Sequence, residues 1–154
     1  MVKIVEKRQL TPITSLYRVD APLIAGAAKA GQFVIIRVRE GGERIPLTIT
    51  DYDRDSGLLT IVVQEVGATT RRLGELGVGD DILDMVGPLG EPPDIPSGGH
   101  IVGVGGGFGS AALLCLMKEL RENGEKTTVI LGDLEKRLLI LADELDDIAG
   151  NLEI

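Results

Sequence analysis

Three short stretches carry side chains suited to holding a phosphorylated ligand. The first is Arg44-Ile45-Pro46-Leu47-Thr48-Ile49. In a strand, the period of two puts Arg44 and Thr48 on one face. A guanidinium there can grip a phosphate through two parallel N–H groups, and the hydroxyl can hydrogen-bond a ring nitrogen. An edge-strand arginine beside a cross-strand threonine has the same composition, and on the residues alone it is the plainer reading. The second stretch is Gly67-Ala68-Thr69-Thr70-Arg71-Arg72-Leu73. A glycine and two hydroxyls opening a helix present N–H and O–H groups to an anion. An N-cap threonine followed by a solvated basic turn fits equally well.

The third stretch is Gly105-Gly106-Gly107-Phe108-Gly109, between a predicted strand and a predicted helix. Free N–H groups at such a turn attract phosphates. The Gly-x-Gly-x-x-Gly register does not fit, because counting from Gly103 the last position is Phe108. No Gly-Lys-Ser/Thr follows, which excludes a nucleoside triphosphate loop of that type. A tight strand-to-helix turn is the alternative. No side chain has the setting of a stand-alone acid–base catalyst, and none is assigned a catalytic role. Cys115 is the single cysteine, so neither an intramolecular disulfide nor a cysteine metal cage is expected. It lies among leucines and reads as a buried structural residue. His100 reads as a surface or linker residue.

The elements that must position these groups fall into two sets. Val2–Leu10, Ser15–Asp20, Gln32–Arg39, Ile45–Thr50, Leu58–Val66 and Asp81–Val86 read as strands. In the third of these, Val34, Ile36 and Val38 take one face and Phe33 and Ile35 the other. A short helix fits Thr69–Leu76. Short strands at this spacing indicate an antiparallel barrel or sandwich. Four of the seven prolines crowd into residues 87–99, which reads as a linker. Beyond it the pattern turns α/β: a strand His100–Val104, a helix from a Ser110 cap to about Glu122, a strand Thr127–Leu131 and a helix Lys136–Ala149. Asn123-Gly124 is a helix stop. The expected domains are therefore 1–97 and 98–154. Two parallel strands do not complete a sheet, so the second domain reads as incomplete, a surface through which two copies would pair.

Composition narrows the function classes. The 154 residues carry 24 acids against 16 bases, a net charge of −8, and no Trp. A nucleic-acid partner is not expected from that sign or from so few stacking rings. No apolar run approaches the roughly 18 residues of a membrane span. The charged, alternating start (Val2-Lys3-Ile4-Val5-Glu6) is unlike a signal peptide. A cytoplasmic protein without a membrane partner is the expectation.

Taken in order, the motifs resemble the ferredoxin–NADP reductase superfamily, and within it the branch of electron-transfer subunits. Ala30-Gly31-Gln32-Phe33-Val34, Gly42-Glu43-Arg44-Ile45-Pro46-Leu47-Thr48-Ile49, Gln64-Glu65-Val66-Gly67 and Asp84-Met85-Val86-Gly87-Pro88-Leu89-Gly90 carry the likeness. The resemblance implies a six-stranded antiparallel Greek-key barrel that binds FAD, followed by a Rossmann-like parallel α/β unit for NAD(P). By motif position, Arg44 would meet the FAD pyrophosphate. Pro46 and Leu47 would pack on the isoalloxazine, and Thr48 would lie near flavin N5. Val62, Val63 and Gln64 would line the ribityl and adenine side. Gly67, Thr69 and Thr70 would hold the pyrophosphate, and Gly105, Gly106, Gly107 and Gly109 would face the nicotinamide nucleotide.

The implied role is electron transfer between NAD(P)H and an iron–sulfur or flavin partner, with a larger redox subunit or ferredoxin as partner. Three departures bear on it. Ser110-Ala111-Ala112 stands where the family has an Ala-Pro pair, and Gly132-Asp133-Leu134 where it often has an arginine. The family's cysteine-rich segment for a [2Fe–2S] cluster has no counterpart among these 154 residues. The expectation is thus an FAD site, an incomplete NAD(P) site, no cluster ligands, and no turnover by the chain alone. The alternative is a non-catalytic interaction module that kept the barrel without flavin.

Overall fold

The computed structural model describes residues 1–95 and 97–154. Pro96, part of the predicted linker, lies outside the described residues. The chain divides into two compact units, Met1–Pro92 and Pro93–Ile154. The division falls inside the proline-rich stretch, ahead of the expected break after residue 97.

The first unit runs β1 (Val2–Thr11), β2 (Thr14–Asp20), α1 (Pro22–Ala27), β3 (Phe33–Arg37), β4 (Arg44–Asp53), β5 (Leu58–Gln64), α2 (Ala68–Gly74), β6 (Asp81–Ile82) and β7 (Asp84–Leu89). The strands pair antiparallel in the order β6-β1-β2-β5-β4-β3-β7. β6 and β7 are halves of one stretch interrupted at Leu83. One half pairs with β1 and the other with β3, so a single broken strand touches both edges and all but closes the barrel. The sixth expected strand is thus two short ones. Closure removes the unpaired edges that invite aggregation.

Alternation along the strands builds the core. Val34, Ile36 and Val38 point inward, while Phe33, Ile35 and Arg37 are half-exposed on the other side. Ile4, Tyr17, Ile49, Leu59, Ile61 and Val63 join the same cluster. Leu73 of α2 is fully buried there, a contribution of about 1.5–3 kcal/mol for one leucine. Tyr17 donates its O–H to the Leu73 carbonyl at 3.2 Å. Helix α1 was not expected. It is only six residues long, too short for a periodic signal, and begins with a proline whose fixed φ suits a first turn.

The second unit runs β8 (His100–Gly106), a 3-10 segment Gly107–Ala112, α3 (Leu113–Glu122), β9 (Lys126–Gly132), a 3-10 turn Lys136–Leu138, α4 (Ala142–Ile148) and β10 (Leu152–Glu153). Its strands are parallel in the order β10-β9-β8. Three expectations are corrected here. Ser110 caps nothing: its side chain is buried, and α3 starts at Leu113 without a side-chain cap. The last helix is not continuous: the 3-10 turn stops at Leu138, Leu139 is extended, and Leu141 takes a left-handed φ of 57° just before α4. The sheet has a third strand, β10, too short for a pattern to show. His100 opens β8 and its ring nitrogen Nε2 lies 2.8 Å from Thr128 Oγ1, so it is a strand residue with a partner. Cys115 is buried, as read.

One face of this sheet packs on α3. Gly103 and Gly105 lie on it, and a Cβ at Gly103 would stand 2.7 Å from the Met117 methyl group. On the other face Val102, Val104 and Ile130 are exposed. No helix among the described residues is long and apolar enough to cross a membrane.

Candidate functional site

Strand β4 sorts its residues cleanly. Arg44, Pro46 and Thr48 are exposed on the outer face, while Leu47 and Ile49 are buried in the barrel. The neighbouring strands extend that outer face by register. Arg44 stands opposite Arg37 and, beyond it, Asp84; Pro46 opposite Ile35 and Val86; Thr48 opposite Phe33 and Leu89. The result is a shelf with two apolar rows and one charged row. Its apolar members are half-buried or exposed, as a surface that can accept a flat ring must be.

The charged row is internally paired. Arg44 Nη2 donates to Asp84 Oδ2 at 3.0 Å, and Arg37 Nη2 lies 3.7 Å from the same oxygen. Arg37 Nε is buried without a hydrogen-bond partner. The motif reading gave neither Arg37 nor Asp84 a role in the site. The signal that could have found them is the outward parity of Arg37 on β3 and a carboxylate inside a strand.

A second candidate element borders the turn before β4. Gly67 precedes α2 with an extended backbone. Thr70 Oγ1 accepts from the backbone N–H of Gly67 at 2.9 Å and of Val66 at 3.1 Å, and donates to the Gly67 carbonyl. Thr70 therefore fixes the turn rather than reaching outward. Thr69 Oγ1 donates to Glu43 Oε2 at 3.2 Å, tying α2 to the residue next to Arg44. An open groove of about 370 Å³ runs between these segments, lined by Arg39, Glu43, Thr69, Arg71, Arg72 and Glu75 among others.

Other expected residues sit differently. Val62 and Val63 are buried, and Val63 belongs to the barrel core; only Gln64 of that trio is partly exposed. Leu47 points into the core, opposite in sense to Pro46. Any ligand contact from Leu47, Val62 or Val63 must come from the backbone. In the second unit, Gly105 and Gly106 end β8 and Gly107 takes a φ of +52°, a conformation glycine tolerates. A Cβ on Gly105 would lie 2.8 Å from Leu113 Cδ1 and 2.9 Å from Ser110 Oγ, so packing against α3 explains that glycine. Gly106 and Gly109 face open space. Asp133 Oδ2 lies close to Gly107, 3.5 Å from where its Cβ would stand.

Known proteins similar to the chain share this fold. No protein-family model matches it. It is 42% identical over 150 residues to the dihydroorotate dehydrogenase B (NAD(+)) electron transfer subunit homolog of Thermotoga maritima, covering 97% of this chain and 53% of that protein. It is 32% identical over 145 residues to the dihydroorotate dehydrogenase B (NAD(+)) electron transfer subunit of Fusobacterium nucleatum, covering 90% of this chain and 56% of that protein. Among solved structures it matches a chain of the NADH-dependent reduced ferredoxin-NADP oxidoreductase, a work on flavin-based electron bifurcation. That match has a TM-score of 0.93 and 41% identity, covering 99% of this chain and 55% of that one. The chain spans about half the length of the curated relatives it matches. Its sequence relatives are named as electron-transfer subunits, and its fold is that of the ferredoxin–NADP reductase superfamily.

Proposed function

We propose that this chain binds FAD on the outer face of β4 and serves in electron transfer between NAD(P)H and an iron–sulfur or flavin partner protein. The observation that carries the reading is the single exposed row Arg44, Pro46, Thr48. It combines a phosphate-binding cation, a flat apolar contact and a hydroxyl at the spacing of one strand face. The donor set fits the cofactor: guanidinium and Thr69 hydroxyl for a diphosphate, apolar shelf for a ring.

In this reading Arg44 binds the diphosphate, with the Gly67 backbone and Thr69 beside it and Thr70 holding their turn. Pro46 supports the isoalloxazine, Leu47 contributes backbone only, and Thr48 orients the ring near N5. Gln64, with the backbone of Val62 and Val63, faces the ribityl and adenine side. Gly106, Gly107 and Gly109 offer open backbone to a nicotinamide nucleotide, with Gly105 shaping that loop through its packing. FAD, when bound, supplies the hydride-accepting and electron-releasing chemistry; the protein binds and orients it. The proposed partner is a larger redox subunit or a ferredoxin, in line with the names of the relatives. A cytoplasmic setting belongs to the same proposal.

A second reading keeps the fold without flavin, as an interaction module. The exposed face of Val102, Val104 and Ile130 favours it, since such a face suits pairing of two copies. Flavin retention separates the two. A yellow chain after incubation with FAD and desalting supports the first, and a colourless, self-associating chain supports the second.

A further inference from the structure

Both side chains assigned above to the diphosphate are already bonded to carboxylates. Arg44 donates to Asp84 at 3.0 Å, and Thr69 donates to Glu43 at 3.2 Å. The two pairs are built from four separate segments: β4 with β7, and α2 with the turn before β4. We propose that Asp84 and Glu43 are internal competitors of the diphosphate, bonded to the donors that flavin must take over to bind. They would then set the affinity of the site. This inference rests on the flavin reading.

The chemistry supports an exchange. A carboxylate presents oxygens to a guanidinium much as a phosphate does. Each acid also has somewhere to go. Asp84 already lies 3.7 Å from Arg37, whose Nε is buried without a partner, so Arg37 can keep Asp84 when Arg44 turns away. Glu43 is exposed and can return to water. Once displaced, both negative charges remain beside a doubly charged ligand. The surrounding groups do not cancel that effect. Arg39, Arg71 and Arg72 attract the ligand and Glu75 opposes it, but none of them bonds Arg44 or Thr69. Removing either competing charge therefore releases a donor and lowers repulsion at once.

The test is titration of the purified chain with FAD, followed by flavin fluorescence. Riboflavin, which has no phosphate, serves as the second probe. Glu43→Gln and Asp84→Asn are each expected to tighten FAD binding roughly two- to fivefold, the range for one hydrogen bond or one semi-exposed ion pair. Riboflavin binding should not change, and Asp84→Glu should bind FAD as the wild type does. Glu40→Gln removes a charge from the same loop, 83% exposed, 3.9 Å from Arg37 and bonded to neither donor, and should leave FAD binding within error. Unchanged or weaker FAD binding in both Glu43→Gln and Asp84→Asn would overturn the inference while leaving the flavin reading intact. So would equal tightening by Glu40→Gln. A wild-type chain that binds no FAD would overturn both.

Discussion

Arg37 and Arg44 stand directly opposite each other on β3 and β4, two like charges on one face of the barrel. Directly opposed like charges destabilise a strand pair. Asp84 on β7 is in register with Arg37 and reaches both guanidiniums. Asp84→Asn should therefore lower stability by about 0.5–1 kcal/mol, discounted for solvent screening. Urea midpoints at low and high salt measure this. The loss should shrink in high salt, and a variant as stable as the wild type at low salt would contradict the role given to Asp84.

Arg44→Ala removes, from an exposed position, the cation proposed to bind the diphosphate. FAD affinity should fall about ten- to hundredfold, the range for losing a charge-assisted hydrogen bond. The fold should survive, since the side chain is exposed. Thr48→Val should retain flavin but shift its absorption maximum or reduction potential. An unchanged spectrum and potential would remove Thr48 from the ring's surroundings.

Burial pushes the Tyr17 phenol up to about 12, and the Glu65 carboxylate adds to the shift. The unfolded chain loses that proton near pH 10, before the folded one does. Stability from the neutral phenol is thus complete below pH 10 and falls as pH rises from 10 toward 12. Tyr17→Phe should lose about 1 kcal/mol with the bond to the Leu73 carbonyl, and should flatten the decline between pH 10 and 12. Equilibrium unfolding across that window is the measurement.

The glycines of residues 105–109 divide by role. Gly105→Ala drives a Cβ against Leu113 and Ser110 and should destabilise the second unit by about 1–3 kcal/mol. Gly106→Ala meets no heavy atom within 4 Å and should leave stability nearly unchanged. Any loss of nicotinamide-nucleotide binding in Gly106→Ala is then a ligand effect. Thermal unfolding of both variants distinguishes packing glycines from open ones.

How far the sequence speaks depends on the element. The alternation in Val34, Ile36 and Val38 was plain because one face of that strand is buried and the other is not. The same parity placed Arg44 and Thr48 together. It also separates Leu47 from Pro46, a consequence the motif resemblance obscured. Val62 and Val63 were placed by the resemblance, not by parity: β5 lies mid-sheet and is buried on both sides, so its apolar run has no outward face to read. The role of Asp84 was hidden because it comes from a register with β3 that crosses most of the barrel sequence. The break before α4 includes a left-handed backbone at Leu141, for which the residue type gives no sign.

A visible absorption spectrum of the purified chain, taken after incubation with FAD and desalting, bears on the flavin site before any variant is made. A retained flavin band, lost in Arg44→Ala, is the predicted result. A folded wild-type chain that emerges colourless from excess FAD would contradict it.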